Sequence, residues 1–169
     1  YEFDADPYGL HLYHCHSQPL SQHIHKGLYG TFIIDPKGGR GPAKELVMMM
    51  NGFDTNFDEE NEVYAVNTKA FYYHHYPIPL KLGEQVRIYL VNVLEFDQIN
   101  SFHTHANFFD EYPTGTNLKP ENFTDTIILG QAERSVLDVK FREPGMFMFH
   151  AHVQEFAELG WTGMFMVKE

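Results

Sequence analysis

The sequence contains a single cysteine, Cys15, in 169 residues, so no disulfide can form within the chain. No apolar run approaches the roughly 18 residues of a membrane-spanning helix, and no signal segment is visible. Only 12 Lys and Arg stand against 23 Asp and Glu. The resulting net charge of −11 argues against nucleic acid as a partner, because phosphates would be repelled, and it suits a cationic metal ion or a basic protein.

Blocks of alanine and leucine that would favour long helices are also missing, whereas Phe (15) and Tyr (10) are abundant, a composition that favours β structure. One short helix is predicted at 153–160. Short apolar runs bounded by turn residues predict strands at 11–16, 27–35, 45–52, 62–66, 85–93, 101–109, 125–129, 134–141, 145–152 and 163–169. Strands at this spacing predict an all-β antiparallel sandwich or barrel.

The chain begins with Tyr1 and with a strand already under way, so we expect residues upstream of it to be missing. The Gly- and Pro-rich segment PKGGRGP at 36–42 is the best candidate for a domain boundary. We therefore expect residues 1–36 to be the C-terminal part of one domain and residues 43–169 to form a complete second domain.

Histidine is the residue type that the sequence has in excess, with 11 copies. His-x-His pairs occur at 14/16, 23/25, 103/105 and 150/152. Residues i and i+2 of a strand share one face, so a pair on a strand places two imidazoles side by side, as metal binding requires. The pairs at 14/16, 103/105 and 150/152 fall at predicted strand ends, where side chains from different strands can converge.

Cys15 lies between two histidines, and His23 follows eight residues later. One thiolate with imidazoles and a weak axial ligand is the donor set of a blue-copper site. Zinc is the rival metal, but a closed zinc site would favour more than one cysteine. Leu28 stands where an axial Met would be expected, and its side chain cannot bind metal, so we expect a raised copper potential.

The segment HLYHCHSQPLSQHIHKGLYGTFIIDP resembles the type 1 copper segment of multicopper oxidases, with the longer Cys-to-His spacing also seen in copper nitrite reductases. SFHTHANFF and MFMFHAHVQEFAELGWTGMFMV resemble two further His-x-His segments of that family. The resemblance implies cupredoxin domains, which are Greek-key β-sandwiches. It also implies one-electron oxidation of a substrate at type 1 copper and reduction of dioxygen to water at a three-copper cluster.

The resemblance also implies a role for each matched residue. Cys15 and His23 would bind type 1 copper, and the second type 1 histidine would lie upstream. The remaining ligands would be His103 for type 2 copper and His14, His16, His105, His150 and His152 for the binuclear type 3 copper. The fourth His-x-His pair of a complete cluster would again be upstream.

Four positions of the second domain depart from the family's type 1 pattern. Ala151 stands at the Cys position, Phe156 and Asn100 at the two His positions, and Trp161 at the axial Met position. The second domain is therefore expected to lack type 1 copper. The pattern resembles two-domain oxidases that form a homotrimer, in which the cluster lies between the first domain of one subunit and the second domain of the next.

The chemistry of several further residues suggests roles outside the metal ligand sets. Asp110 and Glu155 are candidate proton donors during dioxygen reduction, with surface or capping roles equally open. We expect His25, His74 and His75 to lie at the surface. The Met run at 48–50 is expected to fill the core rather than to bind copper.

Three functions fit these observations. The first is a laccase-like or metal-oxidising multicopper oxidase, with dioxygen and either a small reducing substrate, a metal ion or a redox protein as partners. The second is a copper nitrite reductase-like enzyme, against which His16 argues, since such an enzyme needs one cluster histidine beside its Cys. The third is a copper-free structural module. Copper enzymes of the first two kinds usually act outside the cytoplasm, so we expect an extracytoplasmic location.

Overall fold

The computed structural model describes residues 1–169. Its strands are β1 (Gly9–His14), β2 (Tyr29–Ile34), β3 (Lys44–Phe53), β4 (Val63–Val66), β5 (Ile78–Lys81), β6 (Gln85–Asn92), β7 (Ile99–Thr104), β8 (Phe109–Pro113), β9 (Asn122–Thr124), β10 (Thr126–Gly130), β11 (Arg134–Lys140), β12 (Gly145–His150) and β13 (Thr162–Lys168). Its helices are α1 (Leu20–His25), α2 (Tyr72–His75) and α3 (Gln154–Glu158). These helices have four to six residues, and none could cross a membrane.

Two sheets pack face to face as a β-sandwich. One has the strand order β4-β3-β6-β11-β8-β9 and the other the order β10-β7-β12-β13-β5. Most neighbouring strands are antiparallel, but β3 pairs with β6, and β13 with β5, in parallel. The all-β sandwich expected from the sequence is confirmed, and these two parallel pairs are an addition to it.

The core lies between the two sheets and is built by alternation along their strands. Leu137 and Val139 of β11 point inward, as do Phe149 of β12 and Phe165 of β13. Trp161, directly before β13, is also fully buried. Burying each side chain of this size contributes about 1.5–3 kcal/mol, so the apolar residues at these positions determine which face of each strand turns toward solvent.

Strands β1 and β2 form a separate two-stranded sheet. Leu10 of β1 is fully buried against Tyr89, Val91 and Val136, which lie on the outer face of the six-stranded sheet. The Arg134 side chain also donates from Nε to the Leu10 carbonyl oxygen at 2.7 Å. The hairpin is therefore held on the sandwich, and the proposed boundary at 36–42 stays a prediction.

The structure contains elements that the sequence patterns did not predict. The run 101–109 was expected to be one strand, but it is divided between β7 and β8, with Ala106 at φ 57° in the turn between them. Strands β5 and β9 lie in segments that the sequence predicts to be loops, because Pro and Asn residues in these segments favour turns. Helices α1 and α2 were missed because each is too short to show a 3.6-residue apolar period.

Candidate metal centre

Three histidines converge at one end of the five-stranded sheet. His103 is near the end of β7, His105 follows it, and His150 ends β12. His150 and His103 are directly opposite in the strand register. One ligand nitrogen from each ring lies within 4.8 Å of those of the other two, so the strand pairing brings together two of the predicted His-x-His segments.

Hydrogen bonds orient two of these rings. The Nδ1–H of His103 donates to the Asp125 carbonyl oxygen at 3.0 Å, and the Thr126 hydroxyl lies 2.8 Å from the same nitrogen. The Nδ1–H of His150 donates to the Ala151 carbonyl oxygen at 2.7 Å. These bonds assign the proton to Nδ1 in both rings, so each Nε2 is the unprotonated nitrogen that a metal could use; that of His150 accepts a hydrogen bond from His105 Nε2–H.

The electrostatics of His150 also suit a ligand. Burial lowers its pKa, and the neighbouring rings of His105, His103 and His152 lower it further, against the opposing effect of its hydrogen bond to Ala151. The ring is therefore neutral at pH 7. Its Nε2 lies 3.0 Å from Nε2 of His105, which places two potential donor atoms within reach of one ion.

His152 lies beside this group but is not one of the three converging residues. Its ring centroid is 5.2 Å from that of His103 and 5.8 Å from that of His150, and the side chain is exposed. Its backbone N–H donates to the Ser101 hydroxyl oxygen at 2.7 Å, which fixes the chain at this point. The exposed ring can turn toward an additional ligand or metal ion.

The predicted type 1 pair also comes together. Cys15 Sγ lies 3.3 Å from His23 Nδ1, because α1 turns the chain back toward the end of β1. The Ser17 N–H points at the same sulfur from 3.4 Å. Cys15 is half-buried, and its N–H donates to the Leu28 carbonyl oxygen at 2.8 Å, so the Leu28 backbone lies beside Cys15; the axial position of its side chain stays a prediction.

His14 and His16, on either side of Cys15, are exposed, with ring centroids 6.1 Å apart. His14 Nδ1–H donates to the Cys15 carbonyl oxygen at 2.8 Å, the same local bond that His150 makes. His14 also lies near Glu95. Burial raises the pKa of Glu95 above its ordinary value, and the charge of His14 offsets part of that rise. Neither residue is among the three converging histidines, so one chain does not gather all the predicted cluster ligands at one point.

The expectation that His25 lies at the surface is wrong. Its side chain is 7% exposed, and its Nε2 accepts a hydrogen bond from the Asp54 N–H at 2.9 Å. Helix α1 packs His25 against the loop that follows β3. By contrast His74 and His75 are exposed as expected, and Met48 and Met50 are buried in the core.

The four positions that depart from the type 1 pattern are all buried. Asn100, Ala151 and Trp161 have no measurable exposure, and Phe156 is stacked on Tyr64 with ring centroids 4.0 Å apart. Aromatic rings therefore occupy the volume where a second thiolate site would lie. This packing supports the prediction that residues 43–169 hold no type 1 copper.

The two predicted proton donors lie on β8 and α3, not on the strands β7 and β12 of the converging histidines. Asp110 is on β8 of the other sheet, opposite Asp138, and it lines a cleft beside Phe108. Glu155 lies near Tyr64, whose pKa is raised mainly by burial, then by Asp97 and also by the Glu155 charge. Their catalytic role stays a prediction.

A cavity of about 430 Å³ opens directly onto His105 and His150. Its lining also includes Phe71, His74, Met148, Gln154, Ala157, Glu158 and Thr162. Sequence reasoning missed Glu158 and His74 as neighbours of the site, and also Asp125 and Thr126 as supports of His103. No sequence signal marks them, since β10 and α2 reach the site only through the tertiary fold.

The donor chemistry fits copper. Clusters built from neutral imidazoles, with one thiolate beside an imidazole, match the preferences of copper ions. The unprotonated Nε2 atoms of His103 and His150 and the short His105–His150 separation place nitrogen ligands close together on neighbouring strands. Bound copper would supply one-electron redox chemistry at this end of the sandwich.

Comparison with known proteins agrees with this chemistry. A solved structure described as the crystal structure of multicopper oxidase is 57% identical, with a TM-score of 0.98 over 99% of this chain and 59% of that chain. The copper nitrite reductase from Nitrosomonas europaea is 28% identical, with a TM-score of 0.88 over 99% of this chain and 65% of that one. These likenesses confirm the cupredoxin-like Greek-key fold.

A curated relative, the probable nitrite reductase-hydroxylamine oxidoreductase fusion protein of Kuenenia stuttgartiensis, is 30% identical over 86% of this chain and 18% of its own length. The chain thus spans about three fifths of the solved multicopper oxidase and a smaller part of this relative. A family model described as multicopper oxidase matches residues 40–169. With its copper-type donor set and this match over most of its length, the chain belongs to the multicopper oxidase family of copper-binding oxidoreductases.

Proposed function

We propose that the protein couples one-electron oxidation of a substrate at type 1 copper to the four-electron reduction of dioxygen to water at a trinuclear copper cluster. The observation that carries the proposal is the convergence of His103, His105 and His150 on the sandwich, together with a Cys15–His23 pair on the hairpin. Each group supplies part of the donor set that its copper would need. Laccase-like or metal-oxidising activity fits this arrangement.

Cys15 and His23 would hold type 1 copper. His103 would hold type 2 copper, and the type 3 ligands would be His14, His16, His105, His150 and His152. When bound, copper supplies stepwise electron transfer and the site of dioxygen binding. The two peptide neighbours of Cys15 connect the thiolate covalently to cluster ligands, which shortens the electron path to a few bonds.

The protein residues orient the donors. Nδ1–H bonds from His103, His150 and His14 to carbonyl oxygens hold their rings so that Nε2 is the unprotonated nitrogen of each. Glu158 lines the cavity at His105 and His150 and is a carboxylate that could supply protons there, alongside the predicted donors Asp110 and Glu155.

A shared cluster explains why one chain does not gather all the ligands. His14 and His16 are exposed and stand apart from the group at His103, His105 and His150. A second copy would add its own His14 and His16, the fourth pair coming from upstream residues, and three heterologous contacts of this kind would close a homotrimer. Assembly of this kind would place one cluster at each subunit contact.

The reducing substrate would reach the type 1 site, and its chemistry follows from charge. With a net charge of −11, the chain would attract small cations such as reduced metal ions, or a basic redox protein, by long-range steering. Phenols remain compatible with an electron-accepting histidine edge. An extracytoplasmic location accords with the copper chemistry proposed.

Nitrite reduction is the second candidate, because two of the similar proteins are described as nitrite reductases. His16 distinguishes the two functions. A nitrite reductase of this type needs one cluster ligand beside its thiolate, whereas a trinuclear cluster uses both His14 and His16.

The test is copper analysis, optical spectroscopy and oxygen uptake on the native, copper-loaded protein. The oxidase predicts a blue absorption band with a near-ultraviolet shoulder and dioxygen consumption with a reducing substrate. His150→Ala should remove the shoulder and the oxygen uptake but keep the blue band, whereas Cys15→Ser should remove the blue band. His75→Ala, an exposed histidine outside the cavity, is the matched control. A blue band without the shoulder, with nitrite reduced instead of dioxygen, would replace the oxidase by the second candidate.

A further inference from the structure

The outer face of the five-stranded sheet carries four of the chain's seven methionines. Met146 and Met148 lie on β12, and Met164 and Met166 lie on β13. The strand register sets Met146 directly opposite Met166, and Met148 directly opposite Met164. We refer to these four residues as the methionine patch.

Alternation along both strands shows that the patch faces outward. Phe147, between Met146 and Met148, packs against the core, and Phe165, between Met164 and Met166, is fully buried in it. Met146 is 53% exposed, and the other three methionines are half-buried. The thioether sulfurs are therefore on the solvent side of the sandwich, not inside it.

The patch is continuous with the converging histidines. Along β12, Met146, Met148 and His150 share one face of the strand. On the other side of β12, the His105 N–H donates to the Met148 carbonyl oxygen at 2.9 Å, which sets His105 beside Met148. Met148 also lines the cavity that opens onto His105 and His150.

A solvent-facing sheet surface ordinarily carries polar side chains, as the outer face of the other sheet does at the exposed Glu45, beyond the apolar part that β1 covers. Apolar packing alone does not explain the patch, since Leu, Ile or Val would serve it equally and none occurs at these four positions. The property that the four residues share is the thioether sulfur, a soft ligand that selects Cu(I).

We propose that the methionine patch binds Cu(I), apart from the type 1 and cluster coppers. Opposite residues of an antiparallel pair have Cβ atoms about 4.5–5.5 Å apart, and the flexible Met side chain lets both sulfurs reach one ion. The acidic chain attracts the cation. Binding itself does not depend on the proposed oxidase function; only the further step, in which Cu(I) passes from Met148 to His105 and His150 by ligand exchange, rests on it.

The experiment uses the intact protein labelled with ¹³C at the methionine methyl groups. Ag(I), a soft and redox-inert probe of Cu(I) sites, is titrated while the methyl signals are recorded, and Cu(I) affinity is measured anaerobically against a competing chelator. The Met148→Leu/Met164→Leu and Met146→Leu/Met166→Leu variants remove sulfur but keep volume, so folding should be retained. Met49→Leu, half-buried in the other sheet, is the matched control.

We expect Ag(I) to shift the methyl signals of the patch and leave those of Met48, Met49 and Met50 in place. Each double variant should weaken Cu(I) binding at least as much as loss of an outer-shell partner weakens metal sites, about 10–100-fold, and the control should not. The same shifts should persist in His150→Ala, which separates this site from the histidine cluster. Unshifted patch signals, or double variants with unchanged Cu(I) affinity, would overturn the proposal even if the cluster binds copper. Signals that respond to protein dilution but not to Ag(I) would identify a subunit interface and would likewise overturn it.

Discussion

The contact between His25 and Asp54 makes a quantitative prediction about the segment that carries Cys15 and His23. His25→Ala leaves the buried Asp54 N–H without its acceptor, which costs about 1–3 kcal/mol. It also removes the ring contact with Phe96, at 5.4 Å between centroids, and such contacts contribute about 0.5–1.5 kcal/mol. The free energy of unfolding should therefore fall by about 1.5–4.5 kcal/mol, as measured by urea denaturation.

A local readout separates this contact from general destabilisation. His25 is at the C-terminal end of α1, two residues after His23, so release of α1 should expose the thiol of Cys15. We expect faster reaction of Cys15 with a thiol reagent in His25→Ala than in the exposed-histidine control His75→Ala. If the two variants have the same stability and the same thiol reactivity, His25 does not anchor this segment and the reasoning fails.

Three further predictions address the sheets and the metal site. Asp138→Asn removes the charge that pairs with buried Arg87, at two 2.9 Å hydrogen bonds, and should cost about 3–5 kcal/mol in urea unfolding; a loss below about 1 kcal/mol would contradict it. Burial raises the pKa of Tyr89, and the carboxylate to which the Tyr89 hydroxyl donates raises it further. The stability that the neutral Tyr89 contributes is therefore complete below the ordinary pKa of 10.0 and is lost as the pH rises above that value. Tyr89→Phe should make the loss of stability at alkaline pH shallower, and an unchanged pH profile would count against this prediction. Thr126→Val removes a hydrogen-bond partner of His103 and should weaken copper binding about 10–100-fold by competition titration, unless the Asp125 carbonyl alone suffices to orient the ring.

Strand periodicity made the converging histidines predictable. A His-x-His pair at the end of a strand places both rings on one face, and this rule gave the pairs 103/105 and 150/152 before their strands were known to be neighbours. The structure brings His103, His105 and His150 together and leaves His152 beside them. The inference depends only on the chain's local geometry.

Features that depend on packing between distant segments were not predictable in this way. Whether His25 is buried depends on the loop after β3, which has no sequence signal pointing to α1. The methionine patch was also invisible, because Met146 and Met166 come together only through the β12–β13 register. The Met run at 48–50 is evident in the sequence because its residues are consecutive, and the structure places two of its three residues in the core, as expected.

The distribution of ligands links copper binding to assembly. If the cluster takes His14 and His16 from one copy and His103, His105 and His150 from another, an isolated subunit offers only part of the donors. Copper that binds the assembled state and not its parts stabilises the assembly by RT ln(1 + [L]/Kd), about 2.7 kcal/mol at a hundredfold excess over Kd. By the same linkage, dilution that separates the subunits must weaken cluster copper. Type 1 copper would respond differently, since Cys15 and His23 lie on one chain. Cluster copper should therefore leave first on dilution, and equal loss of both would argue that each chain holds its cluster alone.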